Sequence, residues 1–525
     1  MAETDEIFTL IKRAFELKEQ TCYKQAIEML YKAIAIEPDN TDIMLQLGEL
    51  YYLLENYPRA IQYGEQIISK DSENLSALNL LKNVYLNHGE LYLAKETAEK
   101  IYAKDPTEDN LEILINIYGK LELFNEIDNR INEIEKSEKC LLSYARNLYN
   151  SSNIDKAHET VHKILEVNPD NEDALILEGK ILFDRNETDK AKEIFLKFDK
   201  YTQNPEVLNY QGLFALEEMR FTDAIKLFSK AVNLDKKNSL YSYNLGNAYF
   251  FNGWYKEAVN AYKEAIILNP ENTDYRYSLA YIYYEHEEFE KSLKEVEYIL
   301  NLNNNHSSTK VLKALLLSKK GEFLEAEKIL QSNIQSGFED EFTISSLAKI
   351  ELELGKIDNA EKYMLSAIEK SPDNIEFYLD LGEIYIKGKQ YSKAIDIAKR
   401  INSDSPNFVD GYILGAKASF ENNMYDETKQ FAQNALALDI NCSQGYYYLA
   451  LIRKSENDLE EAIECMKRAI MHDLSNPKYY AEMADLYKLS GDNKSAFEYI
   501  KEAESIDHSE EYKQLFREYA ALNRK

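Results

Sequence analysis

At 525 residues the chain is well past the size at which one hydrophobic core keeps growing, so it must either divide into domains or repeat a small unit along its length. Lysine and arginine number 62 against 92 aspartates and glutamates, a formal net charge of −30. That balance argues against nucleic acid and anionic lipid as partners, and either favours a basic one or simply keeps the chain in solution.

Met1 to Glu6 is acidic and polar, has no signal-peptide character and is read as an N-terminal tail, residues 1–6. No later run has the apolar length that a bilayer demands. Four cysteines, Cys22, Cys140, Cys442 and Cys465, stand apart with no C-x-x-C pair, which predicts free thiols in a reducing compartment and hence a cytoplasmic protein.

From Ile7 onward the chain repeats itself with a period of about 34 residues. Fifteen helix-turn-helix units can be started at Ile7, Thr41, Leu75, Asp109, Glu138, Glu172, Pro205, Ser239, Thr273, Ser307, Glu341, Ile375, Val409, Ser443 and Pro477. The eighth position of a unit is Ala or Gly throughout, as at Gly48, Gly212 and Ala450, except for Lys82 and Asn116. The twentieth is alanine in twelve units, with Ser292 and Thr428 as small replacements and Asp128 as the real exception. Prolines agree with this register, since none of them falls in a predicted helix interior. Units one to three, residues 7–108, are regular. The fourth, residues 109–137, is short, has Asp128 and Asn132 where small and aromatic residues belong, and is expected to be a hinge. Units five to fifteen fill residues 138–510, with longer loops at Lys200 to Pro205 and Asn333 to Asp340. Residues 511–525 close the chain with Tyr512, Leu515, Phe516, Tyr519 and Leu522 on one helical face and Lys513, Arg517 and Arg524 elsewhere, the pattern of a capping helix.

The eighth unit, Ser239 to Asn272, is the clearest. Leu245, Gly246, Tyr249, Ala258, Tyr262, Ala265 and Pro270 stand in the L-G-x2-Y…A-x3-F…P order, so the chain resembles the tetratricopeptide-repeat family over nearly its whole length. The resemblance implies an all-α fold, an α-solenoid wound as a right-handed superhelix of helix-turn-helix repeats, ending in the capping helix. It also implies a non-catalytic scaffold or adaptor that binds a protein or an extended peptide in its concave groove. The alternative is a regulatory or targeting arm for an enzyme carried on a separate chain.

One stretch looks like chemistry. His158-Glu159-Thr160-Val161-His162 matches H-E-x-x-H, which in metalloproteases places two imidazoles on one helical face to bind zinc, with the glutamate as general base. Ala157, Val161, Ile164 and Pro169 nonetheless keep the repeat register across it, which puts both histidines on the outer face of a repeat helix with no third ligand fixed beside them. No phosphate loop, dinucleotide fingerprint or nucleophile elbow occurs. The expectation is therefore no enzyme, no metal and no cofactor.

In the family, ligands lie along the first helix of each repeat at about positions 2, 5, 6, 9, 12 and 13. The two-carboxylate clamp for acidic tails is missing here: Asn247 is in place, but Tyr243, Ser278, Ser308 and Leu312 occupy the other positions. An asparagine ladder at position 6 is missing too, with only Asn244 between Tyr210 and Ser278. The groove is richest in aromatics and amides in the eighth and ninth repeats, where Tyr243, Asn244, Asn247, Phe250 and Phe251 are followed by Tyr277, Ser278, Tyr281 and Tyr284. These nine are the candidate peptide-binding residues. Two readings of them stand side by side, a docking surface or packing within the helix stack. Tyr446, Tyr447, Tyr448, Tyr479 and Tyr480 form a second, weaker cluster.

Overall fold

A computed structural model describes residues 2–198 and 202–523; Lys200, Tyr201 and Arg524, to which the loop and capping-helix expectations extend, lie outside them. Every described element is a helix, and no strand occurs among the described residues. The fold is an all-α helical repeat of stacked antiparallel helix pairs. It divides into two compact units, Met1–Trp254 and Tyr255–Lys525. The first unit holds seven successive pairs and then the helix Ser239–Phe251; the second starts with Tyr255–Leu268, continues through seven pairs and ends on Glu510–Asn523.

Local chemistry explains where each pair starts and turns. Asparagine side chains cap many of the first helices: Asn40 accepts from the backbone of Asp42 and Ile43 ahead of Thr41–Leu53, and Asn74, Asn171, Asn204 and Asn374 do the same work in their repeats. Such a cap satisfies donors that the first helical turn leaves without partners, and contributes about 1 kcal/mol. Between the two helices of a pair the backbone passes through the left-handed region, at Glu55 (φ 58°), Met219 (φ 58°) and Lys389 (φ 56°) as well as at Gly89 (φ 85°). Glycine takes that conformation without strain, whereas the side-chain-bearing residues each give up about 1–2 kcal/mol.

Burial follows residue size at the helix crossing. Ala26, Ala60, Ala94, Ala157, Ala191 and Ala224 are all fully buried where the second helix meets its partner. Gly212 faces Phe228 so closely that an added Cβ would lie 2.6 Å from the ring, and Gly179 stands in the same relation to Phe195 at 2.6 Å. A methyl group there would collide with a fully buried aromatic side chain.

Three stretches differ from a uniform array. Residues 2–6, set apart as a tail by the sequence, belong to the helix Ala2–Glu19. Acidic side chains at Asp5 and Glu6 suit a helix N-terminus, and Ile7 already reaches the core at 6 % exposure. In the fourth repeat, Glu108–Lys120 is followed by two short helices, Phe124–Asp128 and Ile131–Ile134, in place of one long second helix. The core nevertheless runs through it, with Ile127 and Ile134 fully buried in a cluster that extends from Leu81 to Ile181. Asp128, at the alanine position, accepts from Tyr144 at 2.5 Å and from Lys156 at 2.7 and 2.8 Å. Burial works to raise its carboxyl pKa, but the hydrogen bonds from Lys156 and Tyr144 outweigh it and hold the group below the usual carboxylate range. At the far end, Tyr512, Leu515, Phe516 and Tyr519 of Glu510–Asn523 pack onto Ala484, Ala496, Ile500 and Ala503. No described helix is long and apolar enough to cross a membrane.

Candidate functional site

The nine candidate groove residues singled out in the sequence fall in two separate units, five on Ser239–Phe251 and four on Thr273–Glu285. Within the first unit, Asn244 is buried and donates its amide to the Asn209 side chain at 2.8 Å. Phe251 is 59 % exposed and stacks on Phe221, with ring centroids 6.1 Å apart, while Phe250 meets it edge-on at 5.4 Å. Tyr243 and Asn247 are half-buried on the same helix. Trp254, the only tryptophan, lies over Tyr249 at 5.8 Å. Within the second unit, Tyr277, Tyr281 and Tyr284 form a row of half-buried rings, 6.4 and 6.5 Å apart, and Ser278 lies half-buried between the first two in sequence.

The weaker tyrosine cluster is the one that the structure builds into a concave site. In the second unit the first helices of the twelfth to fifteenth repeats, Ile375–Lys387, Val409–Glu421, Ser443–Ser455 and Pro477–Leu489, border a cavity of about 380 Å³. Glu376, Asp410, Gln444 and Lys478 enter it from the second position of their repeats. Leu379, Ile413 and Tyr447 come from the fifth, Asp380, Leu414 and Tyr448 from the sixth, and Glu383 and Lys417 from the ninth. Tyr479 and Asn476 complete one end. The repeat therefore does the positioning: equal register on successive parallel helices brings equivalent side chains to one face.

Tyr447 and Tyr448 are 4 % and 8 % exposed, and their rings meet edge-on with centroids 5.2 Å apart. Tyr479 lies 5.1 Å from Tyr447, and the Lys478 ammonium sits over the Tyr447 ring at 5.1 Å. Neither the Tyr447 nor the Tyr448 hydroxyl has a hydrogen-bond partner among the described residues, although both line the cavity. Burial, reinforced by neighbouring carboxylates, pushes both phenols upward, so they remain neutral donors. Tyr446 instead stacks on His472 at 5.7 Å, and Tyr480 donates to the Leu474 carbonyl at 3.2 Å, so neither joins the cavity.

The charges of the cavity are only partly matched. Lys417 bonds both oxygens of Glu383 at 2.8 and 2.6 Å, and Lys349 reaches Asp380 at 2.8 Å. Glu376 and Asp410 have no ion pair among the described residues. Burial raises the Asp380 carboxyl, Lys349 lowers it and the nearby Glu383 charge raises it again, so that it ends above the usual range. These carboxylates escape a comparison with the family's acidic-tail clamp, which calls for basic residues at the groove positions. The same positions 2, 6 and 9, read for acids, would have found them.

The H-E-x-x-H stretch lies apart from this groove, in the first unit, on Ile154–Val167. One expectation about it needs correction: a third ligand-bearing side chain does stand beside the two imidazoles, Glu178 of the next helix, Glu172–Asp184. Its distance in sequence from the motif hid it.

Family models agree with the repeat register. One described as "Psidin, N-terminal TPR repeats region" matches residues 274–408, and others described as "Tetratricopeptide repeat" match 239–272, 19–63, 443–474 and 477–509. The chain is 23 % identical over 237 residues to "TPR repeat-containing protein MJ1428" of Methanocaldococcus jannaschii, a match spanning 43 % of this chain and 38 % of that one. It is 26 % identical over 251 residues to "Protein CTR9 homolog" of Arabidopsis thaliana, spanning 45 % of this chain and 21 % of the other. The chain thus aligns with less than half the length of either curated relative. Among solved structures it is similar to the "APC/C hetero-tetramer Cut9-Hcn1", with 14 % identity, a TM-score of 0.45 and coverage of 91 % of this chain and 96 % of that one.

Proposed function

We propose, since this chain is a tetratricopeptide-repeat protein, that it is a non-catalytic scaffold in the cytoplasm, holding an extended, lysine- or arginine-bearing segment of a partner protein in the groove of its twelfth to fifteenth repeats. The observation that carries the reading is the pair Tyr447 and Tyr448. They are more than nine-tenths buried, yet they keep hydroxyls without partners in a cavity that also holds the unpaired carboxylates Glu376 and Asp410. The hydroxyl oxygens themselves stay open to the cavity, so each is free to donate to a ligand backbone carbonyl there. Carboxylates beside aromatic faces favour a cationic side chain, and the chain's net charge of −30 steers basic segments toward it. The rows on Ser239–Phe251 and Thr273–Glu285 are proposed as additional contact surfaces, each within its own unit.

The test uses the intact protein and a displayed library of extended peptides. Enrichment of lysine and arginine is expected, with binding that weakens as salt is added. Changing Glu376→Gln together with Asp410→Asn is expected to cost the best peptide on the order of 2 kcal/mol, the size of an interface hot spot. Retention of full affinity in that double variant would remove the groove from the reading. A natural partner that proved to be an enzyme would make the chain its regulatory or targeting arm.

A further inference from the structure

The helix Ile154–Val167 carries His158 and His162 four residues apart, so both imidazoles project from one face. That face looks onto Glu178 of Glu172–Asp184, whose side chain is only 6 % exposed. The Nδ1 atom of His158 lies 2.9 Å from one oxygen of Glu178, and the Nε2 atom of His162 lies 3.4 Å from the other. The two rings stand edge to face with centroids 4.4 Å apart. One ligand atom from each of the three residues falls within 4.8 Å of the others.

We propose that His158, His162 and Glu178 form a binding site for a divalent transition metal of the zinc class, which clips the fifth repeat to the sixth. Two neutral imidazole nitrogens and one carboxylate oxygen are a donor set that zinc accepts, leaving a fourth position for water. Ligands each about 2.0–2.1 Å from a tetrahedral ion lie about 3.3 Å from one another, and here the two ring nitrogens approach the carboxylate at 2.9 and 3.4 Å, one oxygen each, so the three side chains already converge within the reach of one ion. Access is open on one side, because the His162 side chain is 53 % exposed, while Glu178 is held from below by the core. The burial of Glu178 points the same way. A carboxylate taken out of water demands compensation, and a cation shared with two imidazoles supplies more of it than a single hydrogen bond from one ring. Calcium and magnesium, which take oxygen ligands, do not suit this set. Glu159, the general base of a metalloprotease motif, is exposed on the solvent side of the helix. The site is accordingly a structural clip between neighbouring repeats and not a hydrolytic centre.

The site is independent of the peptide groove and is tested separately. Intact, chelator-treated protein is titrated with zinc alone and with cobalt(II) alone, and thermal unfolding is followed with and without zinc. Expected are one saturable site per chain, a cobalt spectrum with intense visible bands of a tetrahedral N/O site, and an upward shift in unfolding temperature on adding zinc. His162→Ala removes an exposed ligand without disturbing the core, and Glu178→Gln keeps the buried volume; each is expected to weaken zinc binding at least tenfold and to abolish the thermal shift. His508→Ala, at another exposed histidine, is the control and leaves both unchanged. Zinc that binds the two ligand variants as tightly as the unaltered protein comes from elsewhere on the acidic surface and overturns the assignment. So does the absence of a saturable site in the unaltered protein.

Discussion

The fourth and seventh repeats are built on one plan and solve it differently. In the seventh, Pro205–Glu217 and Phe221–Leu234 are two full helices, and Gly212 and Ala224 let their backbones approach while the fully buried Phe228 fills the space beside them. In the fourth, Asp128 occupies the alanine position, the second helix breaks after five residues, and polar contacts to Tyr144 and Lys156 stand where close packing would be. Close packing in the seventh is worth more per residue than those contacts. Most of the hydrogen-bond energy is exchanged with water, and the Asp128 and Lys156 side chains remain 40 % and 39 % exposed. The fourth repeat keeps its place because Ile127 and Ile134 still reach the common core. A repeat can lose its crossing and keep its register, provided that its apolar face survives.

Four measurements break or sharpen this contrast. The largest effect belongs to Phe228→Ala, which empties a fully buried ring site and is expected to cost about 3–5 kcal/mol in denaturant unfolding of the first unit. A loss below 1 kcal/mol would mean that the crossing is not what stabilises the regular repeat. Next, hydrogen exchange: amides of residues 124–134 are expected to exchange at least tenfold faster than those of Phe221–Leu234, about 1.4 kcal/mol of easier local opening. Uniform protection through residues 109–137 would contradict the hinge proposed there.

Asp128→Asn is expected to lower stability by about 1 kcal/mol near neutral pH, a figure kept small by the exposure of the ion pair. The sign of its pH dependence follows from the direction of the carboxyl shift. Because the folded value lies below the unfolded one, the stabilisation is complete above the ordinary aspartate range near about 3.9, and is lost as pH falls through the folded value. The variant and the unaltered protein should therefore converge in acid. The smallest effect is Met219→Gly at the turn of the seventh repeat, where φ is 58°; relief of the left-handed strain is expected to add up to about 1 kcal/mol. A destabilised variant would show that the Met219 side chain has a packing role, despite its 76 % exposure.

The fold was legible because its determinants are residue sizes at fixed spacing. Gly212, Ala224 and Phe228 announce the helix crossing without any knowledge of their surroundings, and even Lys82, a misfit at a small position, keeps the register while its ammonium is pushed down by burial. The sites were harder to read. Tyr447 and Tyr448 were visible as a cluster, but their unpartnered hydroxyls depend on which groups lie across the cavity, and that is settled by three other helices. Glu178 follows His162 in the chain at a distance that no short motif spans, and it reaches the histidines only because one repeat stacks on the next. Periodicity reports what each repeat shares with its neighbours, whereas a site is made of the positions at which they differ.

Trp254 is the chain's single indole, and Cys22 is its only exposed free thiol among the described residues, since Cys140 and Cys465 are buried and Cys442 is intermediate. Both belong to the first unit, on opposite sides of the fourth repeat in sequence. A dye attached at Cys22 and the emission of Trp254 therefore report on the two sides separately, without any engineered label site. Unfolding that reaches one probe before the other tells which side of the broken repeat gives way first, so the order of loss within the unit becomes an optical measurement.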